Sequence, residues 1–274
     1  MSWLESLIYG LVSGFSEFLP ISSRAHQDLM LLLFGVEGHD PIRDMLVHAT
    51  MLFSIYSGCR SMLEQIRRET SVRVHNRTRA MKSNRGFDLR LVKNATIPLL
   101  IGMLILAYIV GKEQSLIWTS LFLLVNGVFL FIPERMIRAN RDARTMSFFD
   151  SLLLGVFSAL SIVPGFSRVG CGVSVAISRG AEPKKALQWV LLLSIPAIIL
   201  LVVIDIAAIF SFEGIVLFWS NLFGYILSVI GAYIGGYLSI LLMKFFAERS
   251  GFYDFSYYCW GAALILFILY LTVV

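Results

Sequence analysis

"FLPISSRAH", residues 18–26, and "VPGFSR", residues 163–168, set proline, serine, arginine and histidine inside stretches that are otherwise apolar. Lipid has no partner for a freed backbone N–H or C=O, so irregular backbone at membrane depth must be enclosed by protein or line a wet cavity. Each cluster has apolar sequence on both sides, over residues 3–35 and 150–181. The reading that suits both is a helical hairpin that dips part-way into a membrane and returns to the face it left.

Composition supplies the membrane. Of 274 residues 57% are hydrophobic and only 15% charged, with a mean hydropathy of +0.78, whereas a soluble domain is about one-quarter charged. Apolar runs at 42–60, 94–111, 115–133, 186–207, 221–243 and 257–273 approach the roughly 20 residues that cross hydrocarbon, once tilt is allowed. Strand-like alternation is nowhere sustained as a membrane barrel requires. The expected fold is all-α and polytopic: six transmembrane helices plus two re-entrant hairpins. "MSWLESLIYGLVSGF" (1–15) carries Glu5 and no basic cluster ahead of its apolar run, so it is expected to belong to the fold and not to a cleaved signal. Cys59, Cys171 and Cys259 are far apart and in or beside apolar segments, which points to neither a disulfide framework nor a thiolate metal site.

The net charge of +5 is unevenly placed: between Cys59 and Asn94 ten Lys or Arg residues face three acids. Such a run could suit nucleic acid, but between apolar spans it fits the positive-inside bias of a cytoplasmic loop, and no nucleic-acid partner is expected. With the 60–93 loop cytoplasmic, "RMIRANRDAR" (135–144), Lys184, Lys185, Lys244 and Arg249 all fall on the same side. The opposite connections, at 37–41, 111–115 and 210–220, hold one basic residue, Lys112. A multi-pass protein of the plasma membrane with both termini outside follows.

"PISSR" (20–24) and "PGFSR" (164–168) share Pro, Ser and Arg at the same relative positions, and three spans follow each broken segment. This predicts one membrane domain, 1–274, built from two inverted repeats, 1–133 and 148–274. The first hairpin enters from outside and the second from the cytoplasm. Inverted repeats with broken helices place their site where the breaks meet.

The first break offers Ser13, Glu17, Ser22, Ser23, Arg24, His26 and Asp28. Ser13 and Glu17, four apart, share a helix face. Pro20 stops that helix, and Ser22 or Ser23 can cap the next, turning free N–H groups toward an anion. The second break offers Pro164, Gly165, Ser167, Arg168, Gly170 and Gly172. Glycines there allow close backbone approach, and the Arg168 guanidinium supplies paired donors to phosphoryl oxygens. Taken singly, the serines read as caps, Glu17 as an arginine's partner and His26 as an interior histidine, while His48 faces either the site or another helix. Their joint occurrence points to a phosphate site, because intramembrane ionisable groups are expensive.

"SGFSEFLPISSRAH" (13–26), "SIVPGFSRVGCGVSVAISRG" (161–180) and "LLLSIPAI" (191–198) resemble the signatures of the bacterial undecaprenyl-pyrophosphate phosphatase, or bacitracin-resistance, family over most of the chain. The resemblance implies an integral membrane enzyme that removes the terminal phosphate of a long-chain polyprenyl diphosphate. It would use a divalent cation, Mg2+ or Ca2+, and recycle the lipid carrier of cell-envelope glycan synthesis, with membrane lipids and a second copy of the chain as further partners. It implies that Glu17 serves the metal or proton transfer and that Ser23 or His26 is nucleophile or base. Ser167 and Arg168 would hold the diphosphate; by their own chemistry and position, Ser22, Arg24, Gly165 and His48 are expected to aid them. The chain departs from the family pattern at Ser13, where Glu or Gln is usual, and at Arg24, Ala25, Val169 and Gly172. Losing a carboxylate at Ser13 weakens a hard-cation site, so a transporter or flippase that binds the lipid phosphate without hydrolysis is the rival expectation.

Overall fold

The computed structural model describes residues 1–75, 89–110, 115–136, 145–210, 218–249 and 251–273. The middle of the basic 60–93 segment, residues 137–144 of the second basic cluster, Lys112 and most of the 210–220 connection lie outside the described residues. Every regular element described is helical.

The first apolar segment folds as two arms, α1 (Trp3–Phe18) and α2 (Ser23–Leu33). Ser2 and Glu5 form a reciprocal capping box that fixes the start of α1. Leu19 is extended ahead of Pro20, as a pre-proline residue prefers to be, and there α1 stops. α3 (Pro41–Gly58) begins with Asp40 as cap and Pro41 at its first position, where a missing N–H costs nothing. α4 (Arg60–His75) opens the basic segment, and α5 (Arg90–Val110) and α6 (Leu116–Phe131) complete the first half.

The second half has the same order without a counterpart of α4. Its broken segment is α7 (Phe148–Ala159), capped by a Ser147/Asp150 box, followed by a 3-10 turn (Leu160–Ile162) and α8 (Arg168–Ser178). Three long helices follow, α9 (Pro183–Phe210), α10 (Phe218–Arg249) and α11 (Asp254–Val273).

Among the described residues four helices are long and apolar enough to cross a membrane: Arg90–Val110, Pro183–Phe210, Asn221–Arg249 and Asp254–Thr272. The two other expected spans coincide with shorter helices: α3 has 18 residues and carries Arg43 and Asp44, and α6 has 16. Large apolar side chains such as Phe53, Ile97, Tyr108, Phe210 and Leu264 point outward, as they must when lipid is the solvent.

The halves interlock. α1 packs chiefly on α10, and α7 on α5; α6 packs on α11, and α3 lies between α9 and α10. The α1–α10 contact is backbone on backbone: a Cβ on Gly10 would lie 2.1 Å from the Ser228 carbonyl oxygen, and one on Gly14 2.2 Å from that of Ala232. Small residues let membrane helices approach this closely, and the approach fixes the last turn of α1, where Glu17 sits.

Candidate active site

Both helix breaks come together inside the bundle. Ser22 caps α2 and, among the described residues, is the one non-glycine with positive φ, at 70°. Such a conformation persists where its surroundings hold it. Here the Ser22 Oγ accepts from Ala25 N at 3.4 Å and, across the bundle, from Gly165 N at 3.0 Å. Gly165 has φ 104°, and a Cβ there would sit 2.6 Å from the Thr119 carbonyl oxygen, so no other residue fits. Ser167 caps α8: its Oγ accepts from Gly170 N at 3.1 Å and donates to the Leu19 carbonyl at 3.0 Å.

Asn126 of α6 ties the breaks a third way. Its Nδ2 donates to the Pro20 carbonyl at 2.9 Å, and its Oδ1 accepts from Ser167 N at 3.1 Å. Irregular backbone from two parts of the chain thus satisfies itself away from lipid, and the N-termini of α2 and α8, both ends of positive dipole, open onto the same region.

Arg168 is the first residue of α8 and Glu17 lies in the last turn of α1. Arg168 Nη2 stands 3.2 Å from Glu17 Oε1, with the side chains only 5% and 7% exposed. Among the described residues the arginine's Nε and Nη1 find no hydrogen-bond partner, and neither does the buried Ser13 Oγ, one turn before Glu17. A buried donor without an acceptor costs about 1–3 kcal/mol, more when charged. A guanidinium with donors to spare, beside two helix N-termini, is therefore suited to a multivalent oxyanion.

The first turn of α2 carries the remaining candidates. His26 Nδ1 lies 2.8 Å from the Ser22 carbonyl and must carry the proton, since a carbonyl only accepts; Nε2 is 2.7 Å from the Tyr258 hydroxyl, which donates to it in the neutral ring. The two rings stack at 5.8 Å. Ser23 Oγ accepts from Gln27 Nε2 at 3.3 Å. Arg24 turns to Asp28 on its own helix, at 3.5 Å. His48, on α3, pairs with Asp205 of α9, Nδ1 to Oδ2 at 2.6 Å.

The structure thus joins Glu17, Ser22, Gly165, Ser167 and Arg168 directly, sets Ser23, Arg24 and His26 on the adjoining turn, and leaves His48 on a neighbouring helix. Asn126, Asp205 and Tyr258 are partners that sequence reasoning missed. Their signal was their polarity inside the expected spans 115–133, 186–207 and 257–273.

Among the described residues no cluster of three or more His, Cys, Asp or Glu forms a ready metal cage. Magnesium is often held by one or two carboxylates together with substrate phosphates. Glu17, with the unpaired Ser13 Oγ on its face, fits that smaller demand.

Fold and breaks together define a multi-pass helical membrane protein with an enclosed arginine–carboxylate pair at the junction of two interrupted helices. The chain belongs to the undecaprenyl-diphosphatase family: the family description "Bacitracin resistance protein BacA" matches residues 6–265. It is 33% identical to undecaprenyl-diphosphatase 1 of Shouchella clausii over 269 residues, covering 98% of this chain and 96% of that protein. It is 30% identical to the undecaprenyl-diphosphatase of Alkaliphilus metalliredigens, covering 98% of this chain and all of that one. With that of Thermosipho africanus it shares 29% identity over 96% of this chain and 99% of the relative.

Proposed function

We propose that the chain hydrolyses a long-chain polyprenyl diphosphate to the monophosphate and inorganic phosphate, at the junction of the two breaks. The observation that carries this reading is Arg168, buried beside Glu17 with Nε and Nη1 unpaired. Family membership favours the diphosphate of a polyprenyl lipid as that oxyanion.

In this reading Arg168 takes the terminal phosphate through its free donors, and the N–H groups at the starts of α2 and α8 cradle the remaining oxygens. Ser23 or a water attacks the terminal phosphorus in line, with His26 close by on the same turn. Glu17 and Ser13 would hold a divalent cation, which when bound neutralises charge on the transferring oxygens. The groups locked by Ser22, Asn126 and Ser167 are already oriented, and such preorganisation carries most of the acceleration in phosphoryl transfer. The prenyl tail stays in lipid, which is why the chemistry sits inside a membrane protein. The same reading takes α3 and α6 as crossing helices, the hairpins as re-entrant and the basic segments as cytoplasmic.

Phosphate release by the purified chain from a polyprenyl diphosphate, with Mg2+, Ca2+ or chelator, tests the proposal. Release is expected to need the cation and to fall at least about 100-fold in Glu17→Gln and Arg168→Ala, while both variants stay monodisperse. Wild-type turnover in either variant removes that residue's role. No release from wild-type protein that still binds the lipid would favour the transporter reading.

A further inference from the structure

The two histidines near the site differ in what their rings have left to offer. Both nitrogens of His26 are engaged, by the Ser22 carbonyl and the Tyr258 hydroxyl. His48 has its Nδ1 anchored on a carboxylate, Asp205 Oδ2 at 2.6 Å, and among the described residues its Nε2 has no hydrogen-bond partner. A carboxylate on one nitrogen sets the tautomer and raises the basicity of the other, the arrangement that histidine bases use.

We propose that His48, oriented by Asp205, is the general base of the hydrolytic step; this rests on the phosphatase reading above. Three charged groups act on its ring: Asp205 from α9, Glu17 from α1, and Asp44 one turn earlier on its own helix. Glu17 stands on α1, which packs against the α3 helix that carries His48. Asp44 is occupied by the Tyr9 hydroxyl and His39 Nδ1, each at 2.9 Å. α10, the other long helix against α3, sends Lys244 to the far end, where it donates to the Gly58 carbonyl. Asp205 also acquires a purpose: within "LLVVIDIAAIF" (200–210) an unpaired carboxylate would be costly.

With water as the nucleophile, His48 Nε2 takes one water proton as the water oxygen bonds to the terminal phosphorus. The bond from that phosphorus to the bridging oxygen breaks, and its electron pair leaves with the monophosphate. The imidazolium passes the proton to the departing monophosphate, which restores neutral His48. The positive charge formed meanwhile is offset by Asp205.

The test is the pH profile of kcat for the full chain in detergent, between about pH 5 and 9, since a general base gives an acid limb worth roughly 100- to 10,000-fold. His48→Ala is expected to lose that limb and a like factor in kcat with little change in KM, and to regain activity with added imidazole. Asp205→Asn is expected to lose about 10- to 100-fold and to displace the limb. Should His48→Ala fail to fold, because Asp205 is left buried and unpaired, His48→Asn with Asp205→Asn carries no such charge and is expected to lose the limb too. An active wild type whose variants keep the acid limb and ignore imidazole overturns the assignment of His48 alone. A wild type that binds the lipid but releases no phosphate overturns the phosphatase reading and this step with it.

Discussion

His39, in the connection between α2 and α3, places one ring nitrogen on each of two carboxylates: Nε2 lies 2.7 Å from Asp28 Oδ1 and Nδ1 2.9 Å from Asp44 Oδ2. Only the cationic ring can donate to both. Burial opposes that charge and Arg24 adds to the opposition, but the hydrogen bonds to Asp28 and Asp44 prevail and hold the pKa above its ordinary 6.5. A folded pKa above the unfolded one gives stabilisation that is complete below about 6.5 and is lost as pH rises through the raised value. Since Asp28 is on α2 and Asp44 on α3, and Tyr9 of α1 also donates to Asp44, the cation fastens the first hairpin to its neighbour. The thermal midpoint of the wild type is expected to fall by several degrees as pH rises from 6.5 through the raised value. His39→Gln should start lower and show a flatter profile. Parallel profiles for the two proteins would remove His39 as the source of the pH dependence.

At the scale of elements, α1 is held where α10 lets it lie. A side chain on Gly14 meets Ala232 backbone at its very first carbon, so no rotamer relieves the clash. Gly14→Val should therefore cost about 3 kcal/mol or more and displace Glu17, one turn on. Gly261, whose added Cβ meets nothing within 4 Å, supplies the comparison, with Gly261→Ala expected to leave the midpoint unchanged within a degree or two. Equal behaviour of the two variants on thermal unfolding and size-exclusion chromatography would discount the backbone contact. "GLVSG" (10–14) and "GAYIG" (231–235) spell this contact in the chain, yet each motif names only one side of an interface. The same limit explains what else was legible. Pro20, Pro164 and Arg168 announce the breaks because they are costly anywhere else, and hydropathy locates α5, α9 and α11 to within about four residues, while α10 runs on past the expected 243 to Arg249. A polar residue inside a span shows that it needs a partner but not which one, and His48 finds Asp205 157 positions away. Read as a loop, the 60–93 charge run begins instead as α4, where Glu64 lies between Arg60 and Arg68 at helical spacing.

Over the whole molecule the contacts exchange between halves: α1 on α10 matches α7 on α5, while α6 with α11 and α3 with α9 each pair a segment with its own counterpart. That pattern supports the proposed inverted repeats, in which the two breaks meet near a pseudo-two-fold axis. The proposal depends on α3 crossing, although it is short and carries charge. Its 18 residues span about 27 Å at 1.5 Å per residue, close to the roughly 30 Å of hydrocarbon. Arg43 and Asp44 lie in its first turn, where a charged group can reach the interface. Glu37 and Arg67 are exposed on either side of α3, and the three native cysteines are buried, so a membrane-impermeant maleimide should read introduced cysteines alone. In intact cells Glu37→Cys is expected to label at once, and Arg67→Cys only after permeabilisation, because the proposed orientation, following the positive-inside bias, puts the basic end of α4 in the cytoplasm. The reverse order would invert the orientation and leave the repeats intact. Labelling of both from one side would mean that α3 does not cross, and the pairing of α3 with α9 as equivalent spans would fall with it.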